Sequence, residues 1–349
     1  MRNGHTPHMP TDSEEPSPED VPVAAGQSST PAQDPELEDL MEEAIGYYES
    51  ALSESTRRAY ERGWEDFVEF CRSYGREALP ASKGTVALFL SDRARGLSPS
   101  TLKQRLAAIQ HVHDREGEES PTRSKRVRDV MKGIRKQNDE APRQAKPLLT
   151  EDVRSMVRSL PLESKDEPAR LRALRNRALV LVGFAGAFRR SELAALRRED
   201  VEERPDGILV TLPKSKTDQE GDGQLVAIRR VGGDFCPVGA LKQWTAAAEV
   251  KEGPLFRGVR QDGSLLPGAV TGKTVGNVVR GTAEAAGLPD TDRITGHSLR
   301  AGHITQASKN DVPDGIVQAH SRHKSDRAFR TYVRPQNLME NSPSAELGL

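Results

Sequence analysis

The chain has 349 residues, with 51 Lys and Arg against 52 Asp and Glu and a net charge of −1, and that length predicts two domains, each able to bury its own core. It holds no run of 18 or more apolar residues, and its N-terminus lacks the basic-then-apolar order of a secretion signal, so the expectation is a soluble, unsecreted protein. The two cysteines, Cys71 and Cys236, form no metal-type or disulfide-type pattern, which fits a reducing compartment.

The near-zero net charge conceals an asymmetry. Residues 1–43 carry one basic side chain, Arg2, against eleven acidic ones, which leaves the remainder of the chain at +9. An acidic, Pro/Ser/Thr-rich leader of low hydrophobicity predicts a disordered arm, and the basic body predicts a polyanion partner. From residue 44 the pattern turns helical. In STRRAYERGWEDFVEFCRSYG the apolar Tyr60, Trp64, Phe67, Val68 and Cys71 recur at helical spacing and predict one buried face. Helices are also predicted in TVALFLSDRARG, STLKQRLAAIQHVHDREG and RSKRVRDVMKGIRKQ, making an all-helical domain over residues 44–138. Nine basic residues against three acidic fall between Arg123 and Lys146. Arg123, Lys125, Arg126, Arg128 and Lys132 there, with Lys103 and Arg105 before them, are the expected phosphate contacts of this domain.

Pro142 and Pro147 break the helical pattern and mark a basic linker over residues 139–147. LLTEDVRSMV then starts a helix, with Thr150 as its expected cap and acidic residues in its first turn. The stretch RALRNRALVLVGFAGAFRRSELAALRREDV reads as a nearly buried helix interrupted by small residues and followed by an amphipathic one. DGILVTL and QLVAIRR alternate as two strands joined by the polar PKSKTDQEGDG, and helices are predicted in CPVGALKQWTAAAEV, TGKTVGNVVRGTAEAAGL and three short segments beyond. The second domain, residues 148–335, is therefore expected to be α+β, mainly helical with a small antiparallel sheet, ahead of a tail at 336–349.

Three stretches carry the chemistry: GAFRRSEL, PKSKTDQEG and the segment from TGHSLRAGH to AFRTYVR. Tyr332 is the only tyrosine after Tyr74, and it stands among arginines and a histidine. A phosphodiester resists nucleophiles because its non-bridging oxygens carry a negative charge that grows in the transition state. Two arginine forks and a histidine donor can hold those oxygens without a metal. His297 and Arg300, at i and i+3, share one helix face and can address one phosphate. Tyr332 supplies a nucleophile that keeps the phosphate covalently bound, and a cationic pocket with a proton acceptor is expected to favour its phenolate. The competing reading has Tyr332 packed beside Phe329 on a helix face. For the lysine, Lys214 and Lys216 lie on the same strand face if the strand reaches them. His297, His303, His320 and His323 do not make a zinc set, because His303 sits about 120° around a helix from His297 and no cysteine is near.

In order and spacing, these stretches resemble the tyrosine recombinase (phage integrase) family: an arginine in an R-x-S/A-E-L turn, a lysine on a hairpin, H-x-x-R, and then a histidine and a tyrosine nine residues apart. The resemblance spans residues 44–335. It implies Arg189, Lys216, His297, Arg300, His323 and Tyr332 as catalytic residues, with His297 as acid/base partner, His323 donating to a non-bridging oxygen and Lys216 protonating the leaving 5′-oxygen. S-K-T resembles the family hairpin, which selects Lys216 over Lys214.

The implied fold has two domains, an all-α, SAM-like core-binding domain and a DNA breaking-rejoining catalytic domain. The implied reaction is site-specific recombination of double-stranded DNA through a 3′-phosphotyrosyl intermediate, with no metal, ATP or other cofactor. The implied assembly is a homotetramer on synapsed DNA, monomeric or weakly associated when free, with the tail NLMENSPSAELGL docking between neighbours. It is expected in the cytoplasm, at the nucleoid in a bacterium, away from membranes. One departure stands out: HSRH replaces the Leu-Gly-His of many members, so Arg322 is expected either to touch DNA or to alter the turn before His323. A type IB topoisomerase and a catalytically inactive DNA-binding architectural protein are the alternative readings.

Overall fold

Serine caps set the first three helices. Ser53, Ser82 and Ser98 each accept a backbone N–H from a threonine three residues on, at 3.1, 3.0 and 3.3 Å, satisfying a donor that helix geometry leaves without a partner. The structure, a computed structural model, describes residues 40, 43, 47, 52–138, 145–212, 223–323 and 325–333. The chain forms two compact units, Met1–Arg135 and Lys136–Leu349.

Among the described residues the first unit is helical: α1 (Glu54–Ser73), α2 (Lys83–Arg93), α3 (Pro99–Arg115) and α4, which starts at Lys125 and ends at Gln137. Its core gathers Phe67, Phe70, Phe89, Leu90, Leu102, Ile109, Val127 and Met131. Phe89 packs edge-on to Phe67 and Phe70 at centroid distances of 5.1 and 5.4 Å, an arrangement favoured by the ring quadrupoles. Of the face read from the α1 spacing, Phe67 and Cys71 are buried, while Tyr60, Trp64 and Val68 are half-buried. Gly63 lets α1 approach α3 closely, since a Cβ there would lie 2.7 Å from the Ala108 Cβ. His113 is fully buried with both ring nitrogens used: Nδ1–H donates to the Ile109 carbonyl at 2.8 Å and Nε2 accepts from the Ala81 N–H at 2.9 Å.

The second unit is built on α6 (Glu167–Ala185), whose apolar residues are buried on all sides. Around it lie α5 (Thr150–Arg158), α7 (Arg190–Ala195), α8 (Pro237–Ala247), α9 (Gly272–Ala285), α10 (Ser298–Lys309), α11 (Asp314–Ser321) and α12 (Asp326–Val333). Trp244 of α8 is fully buried, and its indole N–H donates to the Leu255 carbonyl at 2.8 Å. The two expected strands are present as β2 (Gly207–Leu212) and β3 (Gln224–Arg229), antiparallel with Val210 opposite Val226. A third strand, β1 (Val201–Arg204), joins β2, and β4 (Arg257–Val259) pairs with β5 (Leu265–Ala269) in a separate ribbon. Those additions escaped the alternation signal because β1 and β4 are only four and three residues long.

The cap of α5 is one residue earlier than expected. Thr150 is the first helical residue, Leu149 is the cap, and its N–H is closed by the Asp152 carboxylate at 2.9 Å. Gly302 of α10 is required by close approach, because a Cβ there would meet the Leu148 carbonyl oxygen at 1.8 Å. Among the described residues no helix is long and apolar enough to cross a membrane. Lys214 and Lys216, the tail NLMENSPSAELGL, most of the acidic leader and much of the linker lie outside the described residues.

Candidate active site

The site grows from the C-terminal end of α6. A helix leaves its last carbonyls without intrahelical partners at the negative end of its dipole, and here the last two of α6 and the next two in the turn after it meet side chains from α10 to the turn after α11. His303 Nδ1 donates to the Phe184 carbonyl and His320 Nε2 to that of Ala185, both at 2.9 Å. Arg322 donates to the Gly186 carbonyl at 3.1 Å, and Arg300 and Arg322 both donate to the Ala187 carbonyl at 2.9 Å. Ala187 reaches this arrangement with φ of 46°, a left-handed conformation that costs a residue with a Cβ and marks a constrained turn. His303 and His320 are therefore structural, stacked at 4.9 Å, and burial holds both below the usual histidine range, His303 at about 4.

Five of the six expected catalytic residues fall within the described residues, and all five come together. Arg300 is 1% exposed, and its Nη2 lies 3.3 Å from both ring nitrogens of His323. Burial, then the nearby Arg189 and Arg322, lowers its guanidinium to about 10. Arg189 precedes α7; its backbone N–H donates to Glu192 Oε2 at 2.8 Å, its guanidinium pairs with the same carboxylate, and its Nη2 reaches the Arg322 carbonyl at 3.0 Å. His297 caps α10 and shares a hydrogen bond with the Tyr332 hydroxyl. Burial, Arg300, Arg189 and Arg190 all push the His297 imidazole down, so near neutrality it keeps a lone pair and the phenol donates to Nε2.

Tyr332 packs on a helix face as the competing reading has it, and its hydroxyl also faces the arginines and histidines. Its ring packs against the buried cluster of Ile304, Val317 and Phe329, while its hydroxyl reaches His297. Arg300 and Arg189 lower the Tyr332 phenol, the direction expected of a cationic pocket, but burial raises it by more, so the hydroxyl rests neutral. His323 is held down to about 4 by burial and then by Arg300, Arg189, His297 and Arg322. Its Nδ1 lies 2.8 Å from the Ser321 hydroxyl. If Ser321 donates there, the ring proton sits on Nε2.

One expected DNA contact is corrected, and another is drawn into an ion pair. Arg322 is 8% exposed, and its Nη1 and Nη2 donors are taken by three carbonyls and Glu192, which leaves neither nitrogen for a phosphate. Arg105 is half-buried and bonds Asp66 at 2.8 Å, the same carboxylate that takes Arg93 at 2.8 Å. Lys103, Arg123, Lys125, Arg126, Arg128 and Lys132 are exposed, Lys125 within 2.6 Å of Asp129. Sequence reading missed Glu192 and Ser321. Glu192 was legible only as part of the SEL that singled out Arg189, and a serine two residues before a histidine gives no signal until the turn folds.

The family model described as the phage integrase family matches residues 157–338, and that of the phage integrase N-terminal SAM-like domain matches residues 47–115. An integrase/recombinase xerD homolog of Selenomonas ruminantium is 33% identical over 298 residues, 84% of this chain and 85% of that one. Recombinase Cre of Escherichia phage P1 is 28% identical over 282 residues, 73% and 79% of the two chains. Among solved structures, the XerH site-specific recombinase bound to a palindromic difH substrate, in a post-cleavage complex, has a TM-score of 0.58 at 21% identity, covering 83% of this chain and 79% of that one. A lambda integrase dimer bound to a COC′ core site has a TM-score of 0.55 at 16% identity, covering 86% and 95%. Likeness at those two identities speaks for the fold. The chain belongs to the phage integrase family and is a DNA strand-transferring enzyme of the tyrosine recombinase class.

Proposed function

We propose that this tyrosine recombinase cuts and rejoins duplex DNA at a specific site through the residues gathered at the end of α6. Arg189, Arg300 and His323 hold the non-bridging oxygens of one phosphodiester, where charge grows in the transition state. Tyr332 Oη attacks phosphorus and its proton passes to His297 Nε2. The 3′-phosphate becomes a tyrosyl ester, and the 5′-oxygen leaves with a proton from the Lys216 ammonium. In the reverse direction a 5′-hydroxyl attacks the ester, and Tyr332 leaves with the proton that His297 returns. The broken bond is replaced by one of similar energy, so the cycle draws on no nucleotide hydrolysis.

The observation that carries this reading is the hydrogen bond from the Tyr332 hydroxyl to His297, one helical turn from the buried Arg300. Lys216 enters this reading through the S-K-T pattern of the segment between β2 and β3. Residues 44–138 are assigned to a DNA clamp whose exposed Lys103, Arg123, Lys125, Arg126, Arg128 and Lys132 track phosphates. Residues 139–147 are its linker, 148–335 the catalytic domain, and 336–349 a tail exchanged within a synaptic homotetramer in the cytoplasm.

On a duplex nicked beside the scissile phosphate, the full chain should form a stable protein–DNA adduct in EDTA without nucleotide. Cleavage that releases only free ends, or that needs an added metal, would overturn the reading. A 5′-bridging phosphorothiolate, whose thiolate leaves without a proton, should restore cleavage to Lys216→Ala. If it restores Lys214→Ala instead, the acid has been misassigned.

A further inference from the structure

We infer that Arg322 is a positioning residue that sets the phosphate-binding geometry of Arg189, Arg300 and His323 together. The inference rests on the reaction proposed above and adds a residue that touches no substrate. Arg322 follows α11 with φ of 58° and ψ of 45°, left-handed angles that a side chain with a Cβ adopts only under constraint from its surroundings. Its side chain is 4% exposed, and the guanidinium uses four of its five N–H donors. Nη1 reaches the carbonyls of Gly186 at 3.1 Å and His320 at 2.7 Å, while Nη2 reaches the Ala187 carbonyl at 2.9 Å and Glu192 Oε2 at 3.0 Å. The same plane lies over the Phe188 ring at 5.2 Å.

Two of these partners are shared with the candidate catalytic residues. The Ala187 carbonyl also takes Arg300, and Glu192 Oε2 also takes the Arg189 N–H. In return the Arg322 carbonyl accepts from Arg189 Nη2 at 3.0 Å, and the next residue in the chain is His323. One buried fork thus links the turn carrying His323 to the supports of both arginines. A lysine, with a single compact ammonium, cannot match that fork. The buried cation also helps to keep His323 neutral, alongside Arg300, Arg189 and His297, which face the same ring.

The test compares wild type, Arg322→Gly, Arg322→Lys and Tyr332→Phe as full chains on the nicked duplex, reading single-turnover cleavage from pH 5 to 8 and DNA affinity in parallel. Glycine accepts the left-handed turn, so the variant removes the fork without adding backbone strain. Arg322→Gly is expected to cleave about 100-fold more slowly, as a displacement of about 1 Å in the reacting groups would cause. Its DNA affinity should change by less than about threefold, because the Nη donors of Arg322 are already taken by three carbonyls and Glu192. Arg322→Lys should recover part of the rate. Equal losses of affinity and cleavage would make Arg322 a DNA contact and overturn the inference. Wild-type cleavage by Arg322→Gly would overturn it too. An absent wild-type adduct would instead sink the reaction on which it rests. Should the glycine variant melt below the assay temperature, Arg322→Lys carries the same comparison with the same two contrary outcomes.

Discussion

Tyr332→Phe is expected to bind DNA as wild type does and to form no covalent adduct. The substitution removes one oxygen and leaves the ring packed against Ile304, Val317 and Phe329. The fold loses a single hydrogen bond, to His297, worth about 1 kcal/mol, which a thermal melt would register as a small shift. The reaction loses its nucleophile. Deletions of that kind lower turnover by factors on the order of 10⁴ or more, because no neighbouring group inherits the role. His297 stands ready to accept a proton, but on this account it does not attack phosphorus. Residual adduct above a thousandth of the wild-type yield would mean that another side chain forms the bond.

Arg300→Lys is expected to slow cleavage by about 10²- to 10³-fold, the usual consequence of removing an electrostatic donor to the transition state. Arg300 is buried with one arm on the Ala187 carbonyl and the other facing His323, so its fork is fixed before DNA arrives. A lysine keeps the charge and loses the two-armed geometry that matches a phosphate. The fold should tolerate the change, because the Ala187 carbonyl keeps its second donor from Arg322. Arg300→Ala goes further and removes a cation that holds both His297 and His323 down. Both imidazoles then protonate at higher pH. Since His297 must be neutral to take the phenol proton, the acid limb of the rate profile should move upward. Cleavage by Arg300→Lys at the wild-type rate would show that the fork does not hold the phosphate.

Much of this arrangement is legible in the chain itself, for identifiable reasons. His297 and Arg300 are three residues apart at the start of one helix, and His323 precedes the short helix that carries Tyr332, so local structure brings each pair near. The buried α6 and the amphipathic α1 follow from apolar spacing in the same way. What periodicity cannot supply is the convergence on the α6 terminus, which depends on Ala187 and Arg322 adopting left-handed angles without glycine. Nothing in AHSRH announces that its arginine folds inward. Arg322 looks like a surface cation in the sequence, and it is buried because carbonyls and a carboxylate happen to converge where the turn delivers it. Arg105 misleads in the same fashion, since its partner Asp66 lies 39 residues away. The neutral state of Tyr332 is a balance of burial against charge, which composition cannot weigh.

The most direct test of a phosphate held by converging cations within reach of Tyr332 is to digest the wild-type protein–DNA adduct and locate the nucleotide by mass spectrometry. The account predicts a 3′-phosphonucleotide on the peptide that contains Tyr332 and on no other. A nucleotide on a different residue, or a tyrosine joined to a 5′-phosphate, would contradict it.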